Sequence, residues 1–233
     1  MPRANPPRVV SLDLDDTLWP IMPVILEAEA SLRRWLAEQF PRVVQRYSPH
    51  QMRALRDAIN AAHPERAHDL GWLRLRTLAA ALESAGYRDP EAAAADGLAV
   101  FLAARNRVEL YDDVRPALER LARRHLLVAL TNGNADLEQI GLAQLFRHRL
   151  TAADIGAAKP DRQMFGAVCE ATGAAPEEIL HAGDDPLRDV VGAAREGFAT
   201  AWINRESAHW PAEYARPDLE VPDMGGLVRL LER

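Results

Sequence analysis

The run Val9-Val10-Ser11-Leu12-Asp13-Leu14-Asp15-Asp16-Thr17-Leu18 places three carboxylates within four residues, directly after a short apolar stretch. That stretch is rich in β-branched residues and reads as a buried parallel strand. The acids therefore fall at a strand's carboxyl end, where open α/β sheets form ligand sites. Like charges ~4 Å apart repel by about 4 kcal/mol per pair at an effective dielectric of ~20, which a fold tolerates when a cation sits among them. Asp13 and Asp15 are two apart and would share a face on an extended strand; where the strand gives way to a turn, they can face one pocket in different roles. The same run is compatible with an Asp-rich turn or a helix N-cap.

Three later features recur at predicted strand ends. Leu127-Val128-Ala129-Leu130 runs into Thr131-Asn132-Gly133-Asn134, whose hydroxyl, permissive glycine and following helix make either a phosphate cradle or an ordinary strand-to-helix turn. Lys159, before Pro160, is the chain's one lysine; the other 27 of its 28 basic residues are arginines. A fixed ammonium there could neutralise a carboxylate and a phosphate together, although taken in isolation a solvated loop lysine is the better reading. Ile179-Leu180-His181-Ala182 leads into Gly183-Asp184-Asp185-Pro186, with Asp189 close behind. Hard cations bind through one or two carboxylates plus phosphate oxygens; the alternative is an Asp N-cap with Pro in the first helical turn.

The elements that must position these residues follow from periodicity. Strands are expected at 8–13, 126–131, near 147–151, 178–182 and 199–203. Helices are expected at 113–124, 135–141, 161–172, 186–196 and near 223–232. Such alternation specifies a parallel sheet with right-handed crossovers. Residues 21–109 carry no strand signal. Ile25, Ala28, Leu32, Trp35 and Leu36 form an apolar stripe, Ser48-Pro49-His50-Gln51 is a capping-box start, Leu70, Leu73, Leu78 and Leu82 mark a third helix that Gly86 ends, and Asp89-Pro90 caps a fourth. The expected organisation is an α/β core of residues 1–20 and 110–233, interrupted by an all-helical insert that leaves directly after the acidic cluster and would serve as its lid. Trp19-Pro20-Ile21-Met22-Pro23 reads as a hinge or flap between them.

Composition bounds the function. The chain has 233 residues, 48% hydrophobic and 27% charged, in the range of a soluble globular protein. A net charge of −6 gives no general attraction to nucleic acid or to an anionic membrane. One cysteine, Cys169, excludes an internal disulfide and reads as a small core residue. No run is long and apolar enough to span a bilayer and no signal peptide is evident, so a cytoplasmic location is expected. The sequence leaves monomer and homodimer open.

Taken together, the four motifs resemble those of the haloacid dehalogenase superfamily of aspartate-nucleophile phosphotransferases: Asp13-Leu14-Asp15-Asp16-Thr17, Thr131-Asn132, Lys159-Pro160, and Gly183-Asp184-Asp185 with Asp189. The resemblance covers nearly the whole chain and implies a Rossmann-like α/β core with a helical cap inserted after the first motif. It implies that Asp13 is the nucleophile and Asp15 the general acid and base. Mg²⁺ would be held by Asp13, the Asp15 carbonyl and Asp184, with Asp16, Asp185 and Asp189 in support. Thr131, Asn132 and Lys159 would hold the phosphoryl group. Superfamily members that release halide lack the second acid, because halide leaves without a proton; Asp15 therefore implies a phosphatase. Within the superfamily, Asp13 to Glu27, His68-Asp69 with Trp72 to Arg76, and Ile179 to Val191 resemble the phosphatases of bacterial riboflavin synthesis. That likeness implies a small phosphate monoester as substrate, either 5-amino-6-(5-phosphoribitylamino)uracil or flavin mononucleotide (FMN), with Trp19, His68, Trp72, Arg74 and Arg76 as specificity candidates. Ala158, before the lysine, departs from the small polar residue expected there. A nucleotide or sugar phosphatase of the same superfamily is the alternative substrate class. A receiver-type phosphoacceptor fits less well, because 126–131 supplies no Asp and the helical insert has no counterpart there.

Overall fold

Val9–Leu12 is buried at every position and forms β1, near the centre of a parallel sheet. The structure is a computed structural model describing residues 6–232. On one side β1 pairs with β2 (Leu126–Thr131), and β2 with β3 (His148–Thr151); on the other it pairs with β4 (Ile179–Gly183), then β5 (Ala199–Ile203) and β6 (Leu219–Val221). The order is β3-β2-β1-β4-β5-β6. Leu12 stands opposite Ala129 on β2 and Ala182 on β4, so the ends of all three strands lie side by side. The core against them includes Val9, Val128, Leu130, Phe165, Val168, Ile179 and Phe198. Cys169 is half-buried and packs against this cluster.

Between Pro20 and Glu109 the chain forms a second compact unit, Ile21–Val108, distinct from the sheet-bearing unit. Its helices are α1 (Ile21–Gln39), α2 (Pro41–Arg46), α3 (Pro49–Ala62), α4 (Leu70–Ser84) and α5 (Pro90–Arg105). Ala28, Leu32, Leu36, Leu78, Leu82, Ala94 and Phe101 close its core. Both halves of the Ser48 capping box form, with Gln51 N donating to Ser48 Oγ at 3.3 Å and Ser48 N to Gln51 Oε1 at 2.8 Å.

Several expectations need correction. Residues 21–23 are no flap: α1 starts at Ile21 and takes Pro23 into its first turn, where a missing N–H breaks no helical bond. Trp19 is fully buried. Asp89 precedes α5 with φ of 52° but makes no side-chain capping bond. The helix expected at 113–124 is α6 (Val114–Leu121), and that at 135–141 shrinks to α7 (Leu137–Ile140). After α8 (Ala152–Ile155) and α9 (Arg162–Thr172), the segment 186–196 opens as a π-helix over Pro186–Val191 before α10 (Gly192–Arg195). The chain ends its regular structure in α11 (Met224–Leu231). No described helix is long and apolar enough to cross a membrane.

Candidate active site

The site is built where β1, β2 and β4 stop. Asp13 follows β1, Thr131 ends β2, Lys159 lies in the loop before α9, and Asp184 follows β4. Lys159 Nζ donates to Asp13 Oδ1 at 2.6 Å and to Asp189 Oδ1 at 2.7 Å, with all three side chains buried. Asn132 fixes the lysine's backbone from both sides: Lys159 N donates to Asn132 Oδ1 at 2.7 Å and Asn132 Nδ2 to Lys159 O at 3.0 Å. Thr131 Oγ1 is buried and accepts from Gly133 N at 2.9 Å, which shapes the turn after β2.

The turn after Asp13 carries two contacts linked through Thr17 and a separate one at Asp15. The Thr17 hydroxyl donates to Asp184 Oδ1 at 3.0 Å and lies 3.4 Å from Asp13 Oδ2. Asp15 Oδ1 accepts from Trp19 Nε1 at 2.9 Å. Asp16 adopts a left-handed φ of 60°, which Asp tolerates better than most residues.

Asp189 is held by three donors. Besides Lys159, its Oδ1 accepts from His181 Nε2 at 3.2 Å, and its Oδ2 accepts from Asp185 N at 3.0 Å. His181 is buried, with Nδ1 3.0 Å from Ser11 Oγ, its register partner on β1. Ser11 as donor and Asp189 as acceptor select the Nε2–H tautomer. Asp185 is a helix cap, its Oδ1 accepting from Leu187 N and Arg188 N at 2.9 and 2.8 Å. Trp202 Nε1 donates to Asp184 O at 2.7 Å and steadies the turn after β4.

Electrostatically the site has too many acids for one lysine. Burial, then Asp189, lifts the Asp184 carboxyl to about 7. Burial likewise pushes Asp13 well above the carboxylate range, despite Lys159, with Asp189 and Asp184 adding to the rise. Burial would also raise Asp189, but Lys159 and His181 more than reverse this and hold it ionised. Lys159 responds to Asp13 and Asp189 by rising above its ordinary value, against its own burial. Burial dominates at His181 and keeps the ring neutral. One oxygen each from Asp13, Asp184 and Asp189 lies within 4.8 Å of the other two. An all-oxygen, acid-rich set of this kind fits a hard divalent cation such as Mg²⁺.

Of the residues singled out by sequence, Asp13, Asp184, Asp189, Lys159, Thr131 and Asn132 come together at the carboxyl ends of these inner strands, with Asp15 and Asp16 on the turn after β1. His68, Trp72, Arg74 and Arg76 belong to the helical unit. There Arg74 Nη1 donates to Glu29 Oε1 at 2.8 Å and stacks on Phe101, 3.4 Å from the ring centroid. Arg76 pairs with Glu91 at 2.6 Å. The Trp72 ring lies edge-on to His63 and beneath Arg66. Sequence reasoning missed Thr17, His181 and Trp202. Thr17 and His181 stood within quoted runs; what His181 and Trp202 hold comes through contacts that only sheet register and strand order create.

A parallel α/β sheet whose strand ends carry an aspartate–lysine cluster is the arrangement that the sequence resemblance implied, and a family model for haloacid dehalogenase-like hydrolase matches residues 7–197. The chain belongs to that family. It is 33% identical over 228 residues, 95% of both chains, to the Escherichia coli 5-amino-6-(5-phospho-D-ribitylamino)uracil phosphatase YigB. It is 38% identical over 160 residues to the phosphoserine phosphatase of Thermus thermophilus, covering 66% of this chain and 63% of that one. Among solved structures, one described as 2-haloacid dehalogenase from Pseudomonas syringae pv. Tomato DC3000 superposes with a TM-score of 0.92 at 36% identity, covering 97% of this chain and 98% of that one.

Proposed function

We propose that the chain is a Mg²⁺-dependent phosphatase of small phosphate monoesters that works through an aspartyl phosphate on Asp13, with 5-amino-6-(5-phosphoribitylamino)uracil or FMN as substrate. One observation carries the phosphatase reading: two residues after the buried Asp13 comes a second carboxyl, Asp15, whose Oδ1 accepts from Trp19 Nε1. An alkoxide leaving group needs a proton and a halide does not. In this reading an Asp13 oxygen bonds to phosphorus as the ester P–O bond breaks, and Asp15 gives its proton to the departing alkoxide. Asp15 then takes a proton from water, whose oxygen displaces the Asp13 carboxylate and releases inorganic phosphate.

A carboxylate ~4 Å from a phosphate dianion costs about 8 kcal/mol at a dielectric of ~20. Lys159 offsets part of this at the Asp13 oxygen it already contacts. Asp13 and Asp184, with the Asp15 carbonyl, would hold Mg²⁺; Asp189 is committed to Lys159, His181 and Asp185 N and would support them. When bound, the cation supplies positive charge against the phosphoryl oxygens. The turn after β2, shaped by Thr131 and Asn132, would receive the same group.

The ribityl substrate rests on the E. coli relative, whose 33% identity spans 95% of both chains. In the helical unit His68 and Trp72 are the better specificity candidates, because Arg74 and Arg76 already pair with acids. A dehalogenase is the second reading, favoured by the structure of that description at a TM-score of 0.92.

The test is phosphate release with Mg²⁺ from 5-amino-6-(5-phosphoribitylamino)uracil, FMN, nucleoside monophosphates and sugar phosphates, alongside halide release from 2-chloropropionate. Phosphate release is expected, lost in Asp13→Asn and reduced about 100-fold or more in Asp15→Asn. A kcat/KM at least about tenfold higher for the ribityl phosphates, ~1.4 kcal/mol in transition-state binding, supports the riboflavin-pathway assignment. A flat profile would leave a generalist phosphatase, and halide release without phosphate release would overturn the reading.

A further inference from the structure

Arg205 follows β5 and lies beyond residues 7–197, the span matched by the family model. Its guanidinium nevertheless reaches the turn after β1, where Nε donates to the Thr17 carbonyl at 3.0 Å. The other two nitrogens make a bidentate pair with Asp113, each 3.0 Å from one carboxylate oxygen. Tyr111 supports the guanidinium from below, 3.9 Å from carbon to ring centroid. Asp113 is itself anchored by Met224 N at 2.8 Å, and Tyr111 N donates to the Leu18 carbonyl at 3.1 Å. The planar fork therefore joins the turn after β1 to the segment that opens α6. It is largely buried, with 14% of its side chain exposed.

The far side of the residue it grips is the site. Thr17 turns its carbonyl to Arg205 and its hydroxyl to Asp184, while Asp13 Oδ2 lies 3.4 Å from that hydroxyl. The preceding Asp16 has a left-handed φ, a conformation that persists where its surroundings over-determine it. We propose that Arg205 is a positioning residue: by fixing the Thr17 carbonyl it sets the Thr17 hydroxyl against Asp184, and thereby the spacing of Asp13 and Asp184 across the cation site. The proposal rests on the Mg²⁺-dependent reading above. Partners that orient metal ligands are typically worth about 10–100-fold in metal affinity or activity.

Mg²⁺ binding by titration calorimetry to the full chain tests this, together with thermal unfolding and steady-state kinetics, for wild type, Arg205→Gln and Arg205→Lys. Arg205→Gln is expected to bind Mg²⁺ about tenfold more weakly and to lose kcat by a similar factor, with KM for the ester within about threefold at saturating Mg²⁺. Arg205→Lys keeps the charge but lacks the fork that spans Thr17 and Asp113 together, so its affinity should fall between the two. A merely structural staple would lower the unfolding temperature and leave Mg²⁺ affinity unmoved. Weakening of roughly threefold or more in folded Arg205→Gln supports the proposal, and a smaller change overturns it; should that variant not unfold cooperatively, Arg205→Lys decides by the same threshold. If wild type binds no Mg²⁺, the metal reading and this inference fall together. If wild type binds and both variants bind alike, only this inference falls.

Discussion

At Gly183 the absence of one carbon decides the geometry of the site. A Cβ there would lie 2.3 Å from both Cγ and Oδ2 of Asp189, far inside contact distance. Asp189 could yield only by giving up its bonds to Lys159, His181 or Asp185 N, all between 2.7 and 3.2 Å. Gly183→Ala is therefore expected to cost about 1–3 kcal/mol of stability by overpacking and to reduce turnover by tenfold or more, in the range found for disturbed supporting partners. Circular dichroism with parallel kinetics checks this; a folded variant with wild-type turnover would show that Asp189 need not hold Lys159. Asp13 and Asp184 were legible in the sequence because each follows a β-rich run, where residue type and position suggest a ligand site; the expectation that Lys159 also stands at a strand end fails, because α8 separates it from β3. His181 was not legible, because its role comes from register: it faces Ser11 on a strand distant in sequence, and a histidine within an apolar run carries no sign of that. Asp185 was readable in both ways, and its bonds to Leu187 N and Arg188 N make it a cap.

Among the elements, those with strong local signals were read well and those created by tertiary pairing were not. Ser48 and Gln51 specify the start of α3 by chemistry four residues long, and both bonds form. The three-residue strand β6 has no such signal; it exists because Leu219–Val221 pairs with the edge of β5. The π-helix at Pro186–Val191 is equally silent, since a 3.6-residue pattern does not report a locally wider turn. It coincides with the turn that carries Asp185 and Asp189, as π-bulges often do at functional sites. The helical unit should respond to substitution by ordinary packing rules. Leu78 is 1% exposed and packs closely against Gly97 with Trp35 and Leu32. Leu78→Ala should cost about 2–5 kcal/mol, against about 1 kcal/mol for Ser48→Ala. Urea unfolding of the two variants checks the order; a cap loss exceeding the core loss would mean that α3, not the α1–α4–α5 packing, limits this unit's stability.

For the whole molecule, the acidic cluster links stability to pH and, on the Mg²⁺-dependent reading, to metal. Asp184 titrates at about 7 in the folded chain and near 4 when unfolded. Between those values the native state keeps a proton that the unfolded state has lost. The slope of unfolding free energy with pH is then negative, so this group draws stability down as pH rises towards 7. Asp189 behaves oppositely, but its lowered pKa makes its contribution constant above the unfolded carboxylate value, so it does not alter the slope near neutrality. A cation that takes the Asp184 carboxylate must displace that proton, which makes Mg²⁺ binding tighter as pH rises. Ligand present at 100 times its dissociation constant stabilises by about 2.7 kcal/mol, and less as the proton competes. Millimolar Mg²⁺ should therefore raise the unfolding temperature more at about pH 8 than at about pH 5.5, and EDTA should remove the gain at both. In Asp184→Asn one proton competitor is gone along with a proposed metal ligand, so the Mg²⁺ shift should collapse, and any pH dependence that is left reports Asp13, whose carboxyl burial also raises. Equal Mg²⁺ shifts at the two pH values in the wild-type chain would show that Asp184 is already ionised before the metal arrives, with Lys159 and the Thr17 hydroxyl neutralising the cluster more completely than the three acids require.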